Sequence, residues 1–171
     1  MDDNGRQQAR RIAEHLAAQR ITAVQSSPQP RARETARPIA RRAGVPVEIA
    51  AAVDEIDVGD WTGRTFAALR EDPLWQLWNS SRGSVRPPRG ETMRELQARV
   101  IRHLYDVASA QPDGRIVMVS HAEVIRAAIL HFREIVLDDF WRIQVGAASV
   151  STLVITQSGA ELTGVNETVA S

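Results

Sequence analysis

Three short stretches of the chain carry side chains suited to handling an anion, and each lies where a strand gives way to a loop or helix. In SSPQPRARETA, residues 26 to 36, Arg31 follows a strand end and sits in the first turn of a helix. Free N–H groups and the helix dipole favour negative charge there, and a guanidinium is able to fork onto phosphate oxygens. In DEIDVGDWTGRT, residues 54 to 65, Glu55 stands just past a strand and ahead of a glycine-punctuated loop. That places a carboxylate over the sheet edge as a general acid or base. In GRIVMVSHAEVIRAAI, residues 114 to 129, an apolar run stops at Ser120 and His121, at the carboxyl end of a strand, where open α/β sheets place their ligands. Taken singly, each has a plain structural alternative. Arg31 belongs equally with Arg33, Arg37, Arg41 and Arg42 on a solvated face, and His121 with a hydrogen-bonded turn.

The elements that must hold these groups follow from apolar periodicity. Ala9, Ile12, Ala13, Leu16 and Ala17 recur at helical spacing, and Asn4 followed by Gln7 suits a cap, so residues 5 to 18 are predicted as an amphipathic helix. ITAVQSS reads as a short strand, and Pro28 to Ala43 as a second helix with Ala32, Ala36, Ile39 and Ala43 facing inward. VPVEIAAAVDE is a further strand candidate. Residues 57 to 91, dense in glycine and proline, are predicted irregular, and carry Trp61, Trp75 and Trp78, which either wall a pocket or cap the core. Thr92 and Glu95 form a capping box before Met93, Leu96, Val100, Ile101, Leu104 and Val107, predicting a third long helix. The strand Ile116 to Val119 and a helix from about Ala122 come next. After LDDFW, SVSTLVIT and AELTGV form a hairpin around Ser158 and Gly159. Strand and helix alternate over most of the chain, which argues for an α/β sandwich with a largely parallel sheet.

Composition narrows the classes. With 171 residues, 43% of them hydrophobic, one globular domain spanning residues 1 to 171 is expected. The 21 basic and 21 acidic residues cancel, so no global field draws the chain to nucleic acid or an anionic membrane. All the bases are arginine, the better bidentate phosphate ligand. There is no cysteine, which excludes disulfides, thiolate nucleophiles and cysteine-held metals. No apolar run approaches the ~20 residues of a membrane span, and the first residues lack a signal-peptide core, so a cytoplasmic location is the simplest expectation.

In this order and spacing, SSPQPRARETA, EIDVGDWTG, PPRGET and VSHAEVIRA resemble the motifs of the histidine phosphatase superfamily, the phosphoglycerate mutase-like proteins. The NGRQQARRIAEHL helix is similar to the family's first helix and VNET to its closing strand, so the resemblance covers essentially the whole chain. It implies a three-layer α/β/α sandwich, a phosphomonoesterase activity on small phosphorylated metabolites, and no metal or other cofactor. Arg31 would bind the phosphoryl group, Glu55 would donate a proton to the leaving oxygen, and His121 would hydrogen-bond the phosphoryl oxygens. The N–H of Ala122, at a helix start, would add a further contact. Glu123 stands where many relatives carry glycine or another small residue.

The family reaction runs through a phosphohistidine whose nucleophile lies in an Arg-His-Gly motif ending the first strand. No Arg-His-Gly occurs in this sequence. The expectation is therefore an N-terminally truncated domain lacking its first central strand, inactive or nearly so as it stands and marginally soluble. His15, His103 and His131 fall on helices and do not replace the nucleophile. Two alternatives accompany the phosphatase reading: a pseudophosphatase that binds phosphorylated ligands without turnover, and a phosphoglycerate mutase-type phosphotransferase. The short stretch between Glu55 and Glu91 leaves little room for the insertions of mutases and favours hydrolysis.

Overall fold

The computed structural model describes residues 1–169. The first helix, α1 (Asp3–Leu16), starts earlier than the sequence suggests, because Asp2 rather than Asn4 is its cap: the Asp2 carboxylate accepts from the Gly5 N–H at 2.8 Å. Strand β1 (Ala23–Ser26) leads into α2 (Pro30–Ala43), with Pro30 in the first turn where its missing donor costs nothing. The inward stripe of α2 is Ala32, Ala36, Ile39 and Ala40. Ala43, expected inside, is only half-buried because the helix ends there at Gly44, which adopts the left-handed conformation with φ of 72°.

Strand β2 (Val47–Ile49) is far shorter than the VPVEIAAAVDE stretch suggests. It is an edge strand, and at Ala50, whose N–H donates to the Ser26 carbonyl at 2.9 Å, the chain leaves it for a 3₁₀ turn at Ala51–Val53. Strand β3 (Ile116–Val119) flanks β1 on the other side, giving a parallel sheet of order β2-β1-β3 in which Val24 aligns with both Val47 and Val117.

Each face of this sheet is covered by helices. On one, Ile12, Ala13 and Leu16 of α1 and Ala36, Ile39 and Ala40 of α2 pack on Val24, joined by Val117 and Val119. On the other lie α5 (Met93–Ala110) and α6 (Ala122–Phe132), whose Met93, Leu96, Val100, Val124, Ala127 and Leu130 pack with Met118. The Thr92–Glu95 capping box of α5 forms as the sequence predicts. Among the described residues no helix is long and apolar enough to cross a membrane.

The stretch predicted irregular contains two short helices, α3 (Phe66–Arg70) and α4 (Pro73–Ser80), capped by Thr65 and Asp72. Glycine and proline density masked these caps, although Asp-Pro ahead of an apolar run is a recognised helix start. Trp61, Trp75 and Trp78 pack together with centroids 5.1, 5.6 and 5.2 Å apart, and Trp61 and Trp78 are buried. These two rings are part of the core rather than a pocket wall.

The hairpin of β4 (Ser149–Thr156) and β5 (Gly159–Thr168) forms a separate two-stranded antiparallel sheet. It sends Ala148 and Val150 to one core and Leu162 and Val165 to the other, so it continues the sheet layer without bonding to it. Among the described residues the parallel sheet ends at β3. Both faces of β3 are packed, yet all four of its residues are only half-buried, in contrast to the fully buried β1, because among the described residues no strand is bonded to its other edge. Arg115 and Val119 turn their carbonyls to Thr22 and Ser27, so the alternate residues Ile116 and Met118 aim N–H and C=O away from β1.

Candidate active site

Because the three sheet strands are parallel, the loops after them emerge on one edge, and that shared edge brings Arg31, Glu55 and His121 together. Arg31 is in the first turn of α2, Glu55 follows the 3₁₀ turn after β2, and His121 caps α6 after β3. Arg31 Nη2 lies 3.0 Å from His121 Nδ1, and Glu55 Oε2 is 3.6 Å from both. Ala122 is the first residue of α6, in the turn whose N–H groups have no intrahelical acceptor.

The protonation of His121 follows from its partners. Arginine only donates, so Nδ1 accepts and the ring proton resides on Nε2. Nε2 lies 2.7 Å from Ser27 Oγ, and that hydroxyl lies 2.8 Å from Asp54 Oδ1. Burial, seconded by the Arg31 charge and opposed by Asp54, pushes the imidazole down to about 4, so it is neutral near pH 7.

Two adjacent carboxyls are driven apart. Burial raises Glu55 above the usual carboxylate range against a hydrogen bond from the Ile56 N–H, with the Glu123 charge adding to the rise. Burial acts the same way on Asp54, but bonds from the Ser27 hydroxyl, the Glu55 N–H and Gln29 outweigh it and hold Asp54 low. One neighbour is thus poised to carry a proton and the other to stay ionised, the pattern of an acid and a fixed countercharge.

The Glu55 loop is clamped from α5. Arg99 donates to the carbonyls of Ala52 (2.8 Å), Asp54 (2.8 Å) and Glu55 (3.2 Å), and both its Nε and Nη2 reach the Glu91 carboxylate. Glu91 in turn accepts from the Asp57 N–H at 3.0 Å, while its own N–H donates to the Asp57 carbonyl at 2.8 Å. Gly59 and Gly90 make this apposition possible, since a Cβ on either would collide with backbone of the opposite loop. Arg99→Met is expected to cost roughly 2–4 kcal/mol in unfolding free energy, because three carbonyls and a half-buried carboxylate lose a charged donor. It should also let the Glu55 carboxyl titrate at lower pH as the loop opens to water. Carboxyl ¹³C spectra across pH test this, and an unmoved Glu55 midpoint contradicts the clamp.

Glu123 is held on both sides: Arg82 Nη1 lies 2.9 Å from one carboxylate oxygen and Arg126 Nη1 2.6 Å from the other. The buried Arg82 guanidinium is sandwiched between Trp78 and Phe140, 3.8 and 4.0 Å from their ring centroids. The acid that departs from the family pattern thus belongs to a fixed charge network beside the pocket.

Sequence reasoning did not single out Ser27, Asp54 or Arg99. Ser27 and Asp54 are next to or near residues it did select, and their roles require the loops to meet. Arg99 reads locally as one more exposed helical arginine.

A cation, an imidazole and a carboxyl pushed toward its acid form thus converge at the carboxyl edge of a three-layer α/β sandwich. The chain belongs to the histidine phosphatase superfamily (branch 1), whose sequence profile matches residues 1–168. It is 35% identical over 133 residues to phosphoglycerate mutase-like protein 4 of Arabidopsis thaliana, covering 74% of this chain and 57% of that protein. Its fold superposes on Bacillus stearothermophilus YhfR with a TM-score of 0.91 at 23% identity, covering 98% of this chain and 84% of the other. It is also similar to a histidine-to-alanine variant of phosphoserine phosphatase from Entamoeba histolytica in complex with phosphoserine. There the TM-score is 0.86 and the identity 27%, over 98% of this chain and 84% of that one. By this family resemblance the chain is a phosphatase-type hydrolase.

Proposed function

We propose that the chain forms the phosphoryl-binding and proton-donating pocket of a phosphomonoesterase acting on small phosphorylated metabolites. The observation that carries this reading is the convergence of Arg31, His121 and Glu55 within 3.0 to 3.6 Å at the sheet edge. A phosphate monoester is a dianion near neutral pH. Arg31 supplies a permanent charge and a donor fork, the Ala122 N–H a further donor, and His121 a ring whose protonation a facing dianion favours. Glu55, already held toward its acid form, protonates the leaving oxygen. The likeness to a phosphoserine phosphatase supports a small phosphorylated substrate.

Attack on phosphorus needs a nucleophile, and among the described residues only His121 of the four histidines is at the site. His15 and His131 are exposed on α1 and α6, while His103 Nε2 lies 2.8 Å from Gln25 on the sheet. Turnover then depends on a nucleophile from outside these 171 residues. The second reading is a pocket that binds phosphorylated ligands without turnover.

The deciding experiment expresses the chain with and without ~20–30 upstream in-frame residues and assays a generic phosphomonoester, since closing a missing covalent route is worth orders of magnitude in rate. Turnover with the extension alone supports the phosphatase, and equal turnover overturns it. In the extended form Glu55→Gln is expected to slow esters with poor leaving groups by about 10²–10⁴-fold and activated aryl esters far less. A uniform effect across leaving groups removes Glu55 as the acid.

A further inference from the structure

Ser27 and Asp54 have no role in the reading above, yet they are the groups into which His121 is anchored. Ser27 is fully buried at the end of β1, and its hydroxyl has a complete set of partners. It accepts from the Gln29 N–H at 3.2 Å and from His121 Nε2 at 2.7 Å, and it donates to Asp54 Oδ1 at 2.8 Å. A serine hydroxyl has one proton and two lone pairs, so two accepted bonds commit its proton to Asp54. The same direction is imposed from the opposite side of the ring, where Arg31 donates to Nδ1. Asp54 is itself fixed by the Glu55 N–H at 2.8 Å and by Gln29 Nε2 at 3.5 Å.

We infer that Ser27 and Asp54 are positioning residues for His121. Through the Ser27 hydroxyl they hold the ring proton on Nε2, keep Nδ1 turned to the face it shares with Arg31 and Glu55, and supply the countercharge when the ring becomes an imidazolium. This rests on the phosphoryl-binding reading for its purpose but not for its geometry. The charged groups facing His121 are Arg31 from α2, Asp54 and Glu55 from the loop after β2, and Arg99 from α5. Of these, Asp54 alone combines a carboxylate held ionised with a bonded path to the ring. Without that path, Arg31 alone fixes the tautomer, and the ring has no bonded countercharge when a ligand dianion draws a second proton to it. With it, when a bound anion draws the Arg31 guanidinium off Nδ1, proton uptake there yields a donor toward the anion while Nε2 stays engaged.

The test is long-range ¹H–¹⁵N spectroscopy of the imidazoles in the full chain, with the His121 signals assigned by comparison with His121→Gln. The ligand-free protein is expected to show the Nε2–H tautomer. Ser27→Ala leaves Arg31 alone to hold the tautomer, so it should raise the share of Nδ1–H above that of the wild type and weaken orthovanadate by roughly 10-fold, since a buried donor loses its acceptor. Ser27→Thr should restore both. Asp54→Asn, whose amide oxygen still accepts from Ser27, should keep the Nε2–H tautomer but lower the pH at which His121 ionises in the orthovanadate complex. A role confined to stability would shift melting and leave tautomer and ionisation unchanged. An Nδ1–H tautomer in the ligand-free chain, or Ser27→Ala with unaltered tautomer and affinity, overturns the inference. Should Ser27→Ala not fold, Asp54→Asn decides, an unmoved His121 ionisation counting against it. If the wild-type chain binds neither phosphate nor orthovanadate, the phosphoryl-binding reading falls, while the ligand-free tautomer still decides the positioning role.

Discussion

Arg31→Ala is expected to weaken binding of inorganic phosphate or orthovanadate by roughly 100-fold, read by calorimetry or by ⁵¹V line shapes. The size follows from losing a two-pronged charged donor, worth about 2–4 kcal/mol, at tenfold in affinity per 1.4 kcal/mol. Two effects moderate it. The Arg31 side chain is 58% exposed, so part of its attraction is screened and the loss should shrink as salt is raised. Removing its charge also lets His121 and Glu55 hold protons at higher pH, since Arg31 opposes both, and a more readily charged imidazole recovers some attraction for the anion. Arg31→Lys keeps the charge but not the fork and should fall between, about 10-fold weaker than wild type. A loss under threefold for Arg31→Ala would show that the anion is held elsewhere.

Glu123→Ala is expected to destabilise the chain by about 3–5 kcal/mol, a large share of the roughly 5–15 kcal/mol available to a domain. The cost arises less from the lost contact than from what remains. Arg82, 7% exposed and flanked by two aromatic rings, keeps a buried charge with no counterion and only the neutral Asn79 Oδ1, 3.0 Å away, to accept from it. Arg126 still donates to the Ile143 carbonyl at 2.9 Å and is less affected. Glu123→Gln preserves shape and should be milder. Replacing Arg82 by methionine in the Glu123→Gln background removes the stranded charge and should recover much of the loss, because an apolar group of similar length packs well between rings. Urea midpoints at constant m-value measure all three. A change below 1 kcal/mol for Glu123→Ala would mean that water reaches Arg82.

The fold was legible where apolar pattern and punctuation agree. The boundaries of β3 and α6 follow from IVMV ending at Ser-His, and the start of α5 from Thr92 and Glu95, because these signals are complete within a few residues. The helices α3 and α4 escaped because each is short and its glycine- and proline-rich surroundings resemble loop. The shortness of β2 escaped because an edge position is a property of the sheet rather than of the segment. The convergence of Arg31, Glu55 and His121 was inferable from parallel strands alone. The anchoring of His121 through Ser27 to Asp54 was not, since hydrogen-bond direction depends on side chains from three loops meeting in space. Arg99 was hidden for the same reason: its carbonyl acceptors lie more than 40 residues earlier in the chain.

Among the described residues no strand is bonded to the flank of β3 turned away from β1, and this bears on how the 171 residues behave in concentrated solution on their own. Ile116 to Val119 is a tetrad with no charge and no proline, the devices by which sheet margins ordinarily repel one another. Its outward amides and carbonyls offer a template to any extended chain, including an identical molecule, and the β-branched residues around them favour that pairing. Recovery of these 171 residues expressed alone should therefore fall steeply with concentration.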